Sequence, residues 1–137
     1  MSLISAEQLN TTLDPKLWPT FRAVTEQANG ALLSLYVPER LSYFAGHFPT
    51  QAVLPGVVQV HWVGELSRMF FDIEGFSELK SVKFNSMILP SSDVELDLQF
   101  SEERQSLRFQ YTGNDPSNDK EQIKFSNGNM VFTNEGA

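Results

Sequence analysis

The sequence predicts an α+β domain in which one long helix packs against an antiparallel sheet. Asn29-Gly30 is a strong hairpin signal between two short apolar runs near the start of the chain. Only the segment 55–71 carries apolar residues at the spacing of a long helix. After Gly75 apolar residues alternate with polar ones, as in strands that have one face in water. A single helix against several such strands is typical of α+β architecture.

The elements follow one another in a simple order. Ser5-Ala6-Glu7-Gln8 has the pattern of a capping box and predicts a short helix that ends before Pro15. Pro55-Gly56 begins the long helix, because proline suits a first helical turn. One sheet leaves the far side of this helix uncovered, so we expect a dimer. Strands are predicted at 21–28, 31–37, 79–89, 94–101, 106–112 and 122–133, a turn at 102–105, an irregular segment at 42–54 and a loop at 113–119.

Composition limits the classes of protein that this chain can belong to. With 137 residues, 41% of them hydrophobic, residues 1–137 are expected to form a single domain with a real core. The net charge of −7 and the lack of a basic run argue against nucleic-acid binding. No stretch has the roughly 18 to 20 apolar residues of a membrane span. The absence of cysteine excludes disulfides and thiolate chemistry, and with no signal-peptide pattern it predicts a cytoplasmic location.

Two histidines, the only ones in the chain, flank the start of the long helix. His47 lies in Gly46-His47-Phe48-Pro49, which predicts a constrained loop. A neutral imidazole there is a competent general base at cellular pH, and a hydrogen-bonded loop residue is the alternative interpretation. Gly56 lies at the helix start, where unpartnered N–H groups and the helix dipole favour an oxyanion; a plain turn into the helix is the alternative.

His61 lies five residues beyond Gly56, about 7.5 Å along the helix axis. On a mostly apolar helix we expect it to be buried, and a buried imidazole needs a polar partner. Glu65, one turn further on, is either that partner or itself an acid.

Together these groups suit the removal of a proton next to a thioester carbonyl. His47 would take the α-proton, the Gly56 N–H would stabilise the enolate oxygen, and His61 or Glu65 would protonate a leaving β-hydroxyl. A metal site is not expected, because no third ligand accompanies the two histidines at a recognisable spacing. A serine hydrolase is not expected either, since Gly-x-Ser-x-Gly does not occur.

Gly46-His47-Phe48-Pro49 followed by Val53-Leu54-Pro55-Gly56-Val57-Val58-Gln59 resembles the signature of the β-hydroxyacyl-(acyl carrier protein) dehydratases of hot-dog fold. The resemblance is specific over residues 43–61 and weaker beyond them. It implies a hot-dog domain, a central helix wrapped by a curled antiparallel sheet, and a dimer. At position 61 these dehydratases carry glutamate or aspartate. With His61, the segment Gln59-Val60-His61-Trp62 resembles a divergent branch that includes dehydratases of aryl-polyene clusters.

By position, the resemblance implies that His47 is the catalytic histidine, that Gly56 binds the thioester and that the Val53 carbonyl orients the imidazole. Phe48 and Val57 join Val53 and Gly56 as substrate-binding residues. The implied reaction is dehydration of (3R)-hydroxyacyl thioesters to trans-2-enoyl thioesters, in fatty-acid or polyene-type biosynthesis. No cofactor is implied, because the substrate is carried on the phosphopantetheine of an acyl carrier protein or on coenzyme A. The implied partners are the acyl carrier protein and a second subunit, in a homodimer, a higher oligomer or a heterodimer with a related chain.

Two other functions remain open at this level. One is an acyl thioesterase of hot-dog fold, for which Glu65 would supply the carboxylate. The other is a non-catalytic subunit that binds acyl carrier protein and supports an active partner, because His61 stands where the related enzymes have an acid.

Overall fold

A computed structural model describes residues 4–45, 52–115 and 118–133. His47 and Phe48 lie outside these described residues. The elements are α1 Ala6–Thr12, β1 Thr20–Gln27, β2 Gly30–Val37, a 3₁₀ turn Ser42–Phe44, α2 Gly56–Phe70, β3 Phe76–Phe84, β4 Ser92–Ser101, β5 Ser106–Asp115 and β6 Asn118–Thr133.

The six strands form one antiparallel sheet in the order β1-β2-β4-β5-β6-β3. Along each central strand, every second side chain is buried, as the sequence alternation predicts. One row of paired residues crosses five strands and ends near the start of α2. Its members are Leu33, Leu96, Tyr111, Ser126 and Phe84.

Helix α2 buries one side against the sheet and leaves the other exposed. The buried side carries Val58, Gln59, Trp62, Val63, Leu66, Ser67 and Phe70. Val57, His61, Glu65 and Arg68 lie on the exposed side, at spacings of three and four residues. The single chain therefore leaves one side of the helix uncovered, as the sequence analysis expects.

The N-terminal helix is capped as its sequence indicates and then fastened to the sheet. The Ser5 side chain accepts from the Gln8 N–H, and the Gln8 side chain accepts from the Ser5 N–H, which completes the capping box. The Asn10 side chain bonds both the N–H and the carbonyl of Phe21, each at 2.8 Å. Leu9 is buried, so α1 covers one end of the core.

The first hairpin differs from the prediction by one residue. The turn residues are Ala28 and Asn29, while Gly30 already pairs with Gln27 in the sheet. Asn29 has φ 62°, a left-handed conformation that asparagine tolerates. Gly30 has a different role, because a Cβ there would overlap the carbonyl oxygen of Leu98 on β4.

Two strand boundaries also differ from the prediction. Strand β3 ends at Phe84 rather than at residue 89, because the N–H groups of Asn85 and Ser86 both turn to the Phe125 carbonyl. The segment 113–119 is mostly hairpin rather than loop: β5 continues to Asp115 and β6 begins at Asn118. Backbone pairing needs no apolar side chains, so the alternation rule could not detect these polar strand ends.

The predicted α+β class, with one long helix wrapped by a curled antiparallel sheet, is confirmed. The predicted helix 55–71 is confirmed as Gly56–Phe70, with Pro55 as its N-cap. The dimer stays a prediction. No helix in the described part of the chain is long and apolar enough to cross a membrane.

Candidate active site

The first turn of α2 carries two backbone donors that have no acceptor in the part of the chain that the structure describes. Pro55 is the N-cap, and its carbonyl accepts from the N–H groups of Val58 and Gln59 at 3.1 and 3.2 Å. Within the described residues, the N–H groups of Gly56 and Val57 have no acceptor. These two donors lie at the positive end of a 15-residue helix. The arrangement can bind a carbonyl or enolate oxygen.

Gly56 is in contact with an aromatic ring that the sequence interpretation did not assign to the site. A Cβ at Gly56 would lie 2.7 Å from Cζ of Phe84, too close for a side chain unless the ring moved. Phe84 ends β3, so its position depends on the pairing of β3 with β6. No local signal marks Phe84, because its proximity to Gly56 arises only when the sheet has formed.

The surface around these donors is apolar and open. Val57 is 78% exposed, and Phe84, whose ring lies against Gly56, is 50% exposed. Val53, predicted to orient the catalytic imidazole, is half-buried two residues before Pro55. Single exposed apolar residues are common, but two beside N–H groups that lack an acceptor among the described residues can bind a ligand with both an apolar part and a carbonyl oxygen.

His61 lies on the exposed side of α2, so the expectation that it is buried is wrong for the single chain. Its ring contacts Trp18, with centroids 5.9 Å apart and planes at 43°. Glu65 is also exposed, and in the described part of the structure the two side chains form neither a hydrogen bond nor an ion pair. The interpretation of Glu65 as the polar partner of His61 is therefore not supported. Both residues remain accessible to a substrate.

The helix is fixed laterally beside His61 by Trp62. The Trp62 Nε1–H and the Tyr43 hydroxyl both donate to the Leu17 carbonyl, each at 3.0 Å. Trp62 stacks on Trp18 and meets the edge of Tyr43, with ring centroids 6.2 and 6.5 Å apart. Burial raises the pKa of the Tyr43 hydroxyl, so it stays a donor at neutral pH. Residues 14–18 are thereby joined to the 3₁₀ turn and to α2.

The segment that carries His47 and Phe48 lies between two described anchors. The 3₁₀ turn Ser42–Phe44 precedes it and is bound through the Ser42 N–H to the Lys16 carbonyl at 2.9 Å. Leu54 follows it, and its N–H donates to the Ile88 carbonyl at 2.8 Å. The predicted roles of His47 and Phe48 stay predictions. In residues 4–45, 52–115 and 118–133, no group of three or more acidic or histidine side chains could hold a metal ion.

Comparison with known proteins identifies relatives. The family described as ApeI dehydratase matches residues 23–128. The dehydratase heterocomplex ApeI:P from Xenorhabdus doucetiae is similar at 28% identity, with 83% of this chain and 96% of that chain covered and a TM-score of 0.71. An uncharacterized protein from Erwinia carotovora subsp. atroseptica is also 28% identical, with coverages of 85% and 96% and a TM-score of 0.71.

A more distant likeness supports the fold alone. A trans-AT PKS dehydratase domain from Brevibacillus brevis is 17% identical, with 87% of this chain and 46% of that chain covered and a TM-score of 0.67. No curated protein matches this chain by sequence.

Proposed function

The chain belongs to the ApeI dehydratase family, and on that premise we propose that it converts (3R)-hydroxyacyl thioesters to trans-2-enoyl thioesters and water. The acyl chain would be of fatty-acid or polyene type, carried on the phosphopantetheine of an acyl carrier protein or on coenzyme A. The observation that carries this proposal is the pair of N–H groups at Gly56 and Val57, which lack an acceptor among the described residues and stand at the positive end of α2 beside the exposed side chains of Val57 and Phe84.

The proposed reaction uses this chain's residues in three roles. His47 takes the α-proton, and the electron pair moves toward the thioester oxygen, which the Gly56 N–H stabilises. The C–O bond to the β-hydroxyl then breaks, and a proton from the acid completes the departing water. Val53, Val57 and Phe48 would hold the acyl thioester and the imidazole in place.

Distance along the helix favours His61 over Glu65 as the acid. His61 and Glu65 lie about 7.5 and 13.5 Å beyond Gly56 along the axis, at 1.5 Å per residue. The β-oxygen of the substrate is only a few bonds from the thioester carbonyl that Gly56 would bind. Helical side chains also lean toward the N-terminus, which brings the His61 ring closer to Gly56. The acid form of His61 is the imidazolium.

His61→Ala is expected to lower kcat by about 10²-fold, at the lower end of the range for a general acid, while Glu65→Ala changes it by less than about threefold. Both side chains are exposed, so neither variant should lose more than about 0.5 kcal/mol of stability. Steady-state kinetics and thermal unfolding of both variants test this assignment. A large kcat loss in Glu65→Ala alone would transfer the acid role to Glu65, and small losses in both would remove both residues from the mechanism.

The decisive assay offers hydroxyacyl and saturated acyl thioesters side by side. Dehydration predicts enoyl formation from the hydroxyacyl substrate and no free thiol from either. Release of thiol without enoyl product would contradict the proposal and identify a thioesterase.

A second candidate function is that of a non-catalytic subunit. One observation favours it: the similar ApeI:P dehydratase is a heterocomplex. Here the chain would bind acyl carrier protein and support a related subunit that supplies the acid. This candidate predicts carrier binding, negligible turnover by the chain alone, and turnover once the partner subunit is added.

A further inference from the structure

Three polar groups are buried together where the sheet meets the first turn of α2. Gln59 is 3% exposed and Ser126 is fully buried. The Ser126 hydroxyl on β6 donates to Gln59 Oε1 at 2.7 Å, and the Tyr111 hydroxyl on β5 donates to the Gln59 carbonyl at 2.7 Å. Burial raises the pKa of the Tyr111 hydroxyl well above its ordinary value, so it remains a donor.

The Gln59 side chain also reaches back across the helix start. Its Nε2 donates to the Leu54 carbonyl at 3.3 Å. Leu54 is bound in turn through its N–H to the Ile88 carbonyl. Every buried side-chain nitrogen or oxygen in the described residues has a partner, so this network is complete.

The network contacts the helical turn that carries the Gly56 and Val57 N–H groups. Tyr111, Ser126 and Phe84 are consecutive members of one row across β5, β6 and β3. The first two bind Gln59, and the ring of the third lies against Gly56. One row of the sheet therefore contacts the first turn of α2 at both Gln59 and Gly56.

Stability alone does not account for a glutamine at this position. Methionine has a similar length and would fill the space without burying an amide that must be desolvated. A complete polar network instead restricts the first turn to one arrangement.

We propose that Gln59 is a positioning residue for dehydration. By holding Ser126 and the Leu54 carbonyl, it fixes the first turn of α2 so that the Gly56 and Val57 N–H groups converge on the thioester oxygen. This inference rests on the proposed function. A displacement of about 1 Å at such a site lowers a rate by about 10²-fold.

The test uses Gln59→Met, Ser126→Ala and the double variant, in whichever form of the protein turns over. Gln59→Met leaves the buried Ser126 hydroxyl without its acceptor, so we expect a clear loss of stability. The double variant also removes the Ser126 hydroxyl and should recover that part of the stability, while the Leu54 carbonyl lacks its Gln59 donor in both variants. Its kcat should nevertheless stay at least about tenfold below wild type with KM little changed, because positioning acts in the transition state.

Ser67→Ala is the matched control. Ser67 is a fully buried polar residue on the same helix, and its hydroxyl donates to the Val63 carbonyl, away from the helix start. We expect wild-type kcat in this variant. If kcat falls in Gln59→Met and rises again in the double variant together with stability, the inference is overturned.

A second readout separates this inference from the proposed function. Backbone ¹⁵N relaxation reports the order of the Gly56 and Val57 amides without any substrate. We expect lower order parameters in Gln59→Met and in the double variant, and unchanged ones in Ser67→Ala. If wild-type protein shows no dehydration, the proposed function fails; equal order parameters in wild type and the double variant would overturn the positioning role itself.

Discussion

Replacing His47 with alanine is expected to lower kcat for dehydration by about 10²- to 10⁴-fold, the contribution typical of a general base. Without the imidazole, water would have to take the α-proton, and water is a much weaker base. The Gly56 and Val57 N–H groups would still bind the thioester oxygen, so KM should change far less than kcat. Steady-state kinetics with a hydroxyacyl thioester measures both constants.

Chemical rescue and stability serve as controls for the His47 variant. The hydrogen bonds that anchor α2 involve Trp62, Gln59 and Leu54, so His47→Ala should unfold close to the wild-type temperature. Added imidazole should restore part of the lost rate by supplying the missing base. A correctly folded variant that keeps more than about a tenth of wild-type kcat would show that another group removes the proton.

Replacing Trp62 with alanine is expected to destabilise the fold by about 3 to 5 kcal/mol, the usual loss for a large buried aromatic residue. Trp62 is fully buried, packs against Trp18 and Tyr43, and donates a hydrogen bond to Leu17. The variant leaves a cavity beside the helix and removes one of the two donors to the Leu17 carbonyl. Chemical denaturation with linear extrapolation measures this loss.

Val57→Ala is the control for Trp62→Ala because it also shortens an apolar side chain of α2. Val57 is 78% exposed, so the expected change in stability is within about 0.5 kcal/mol. A loss below about 1 kcal/mol for Trp62→Ala would show that the cluster around Leu17 does not hold the helix.

Local patterns predicted the elements but not all of their ends. The capping box at Ser5, the hairpin near Asn29 and the helix from Gly56 depend on neighbouring residues, and each is present. The end of β3 at Phe84 and the polar hairpin near Asp115 depend on backbone bonds to distant strands. No pattern within a short window contains that information.

The candidate site shows the same division. The residue types and spacing around Gly56 and His61 predict proton-transfer chemistry, because loop, helix start and first turns are contiguous in sequence, and this chemistry stays a prediction. The exposure of His61 was missed, since helical spacing does not reveal which side the sheet covers. The sequence does not predict the hydrogen bonds of Gln59, because its partners Tyr111 and Ser126 lie 52 and 67 residues away.

The exposure of His61 has an evolutionary consequence. A side chain outside the core contributes little to folding, so exchanging an acidic residue for histidine at position 61 leaves stability nearly unchanged. Natural selection can therefore act on the chemistry of this position without compensating substitutions elsewhere.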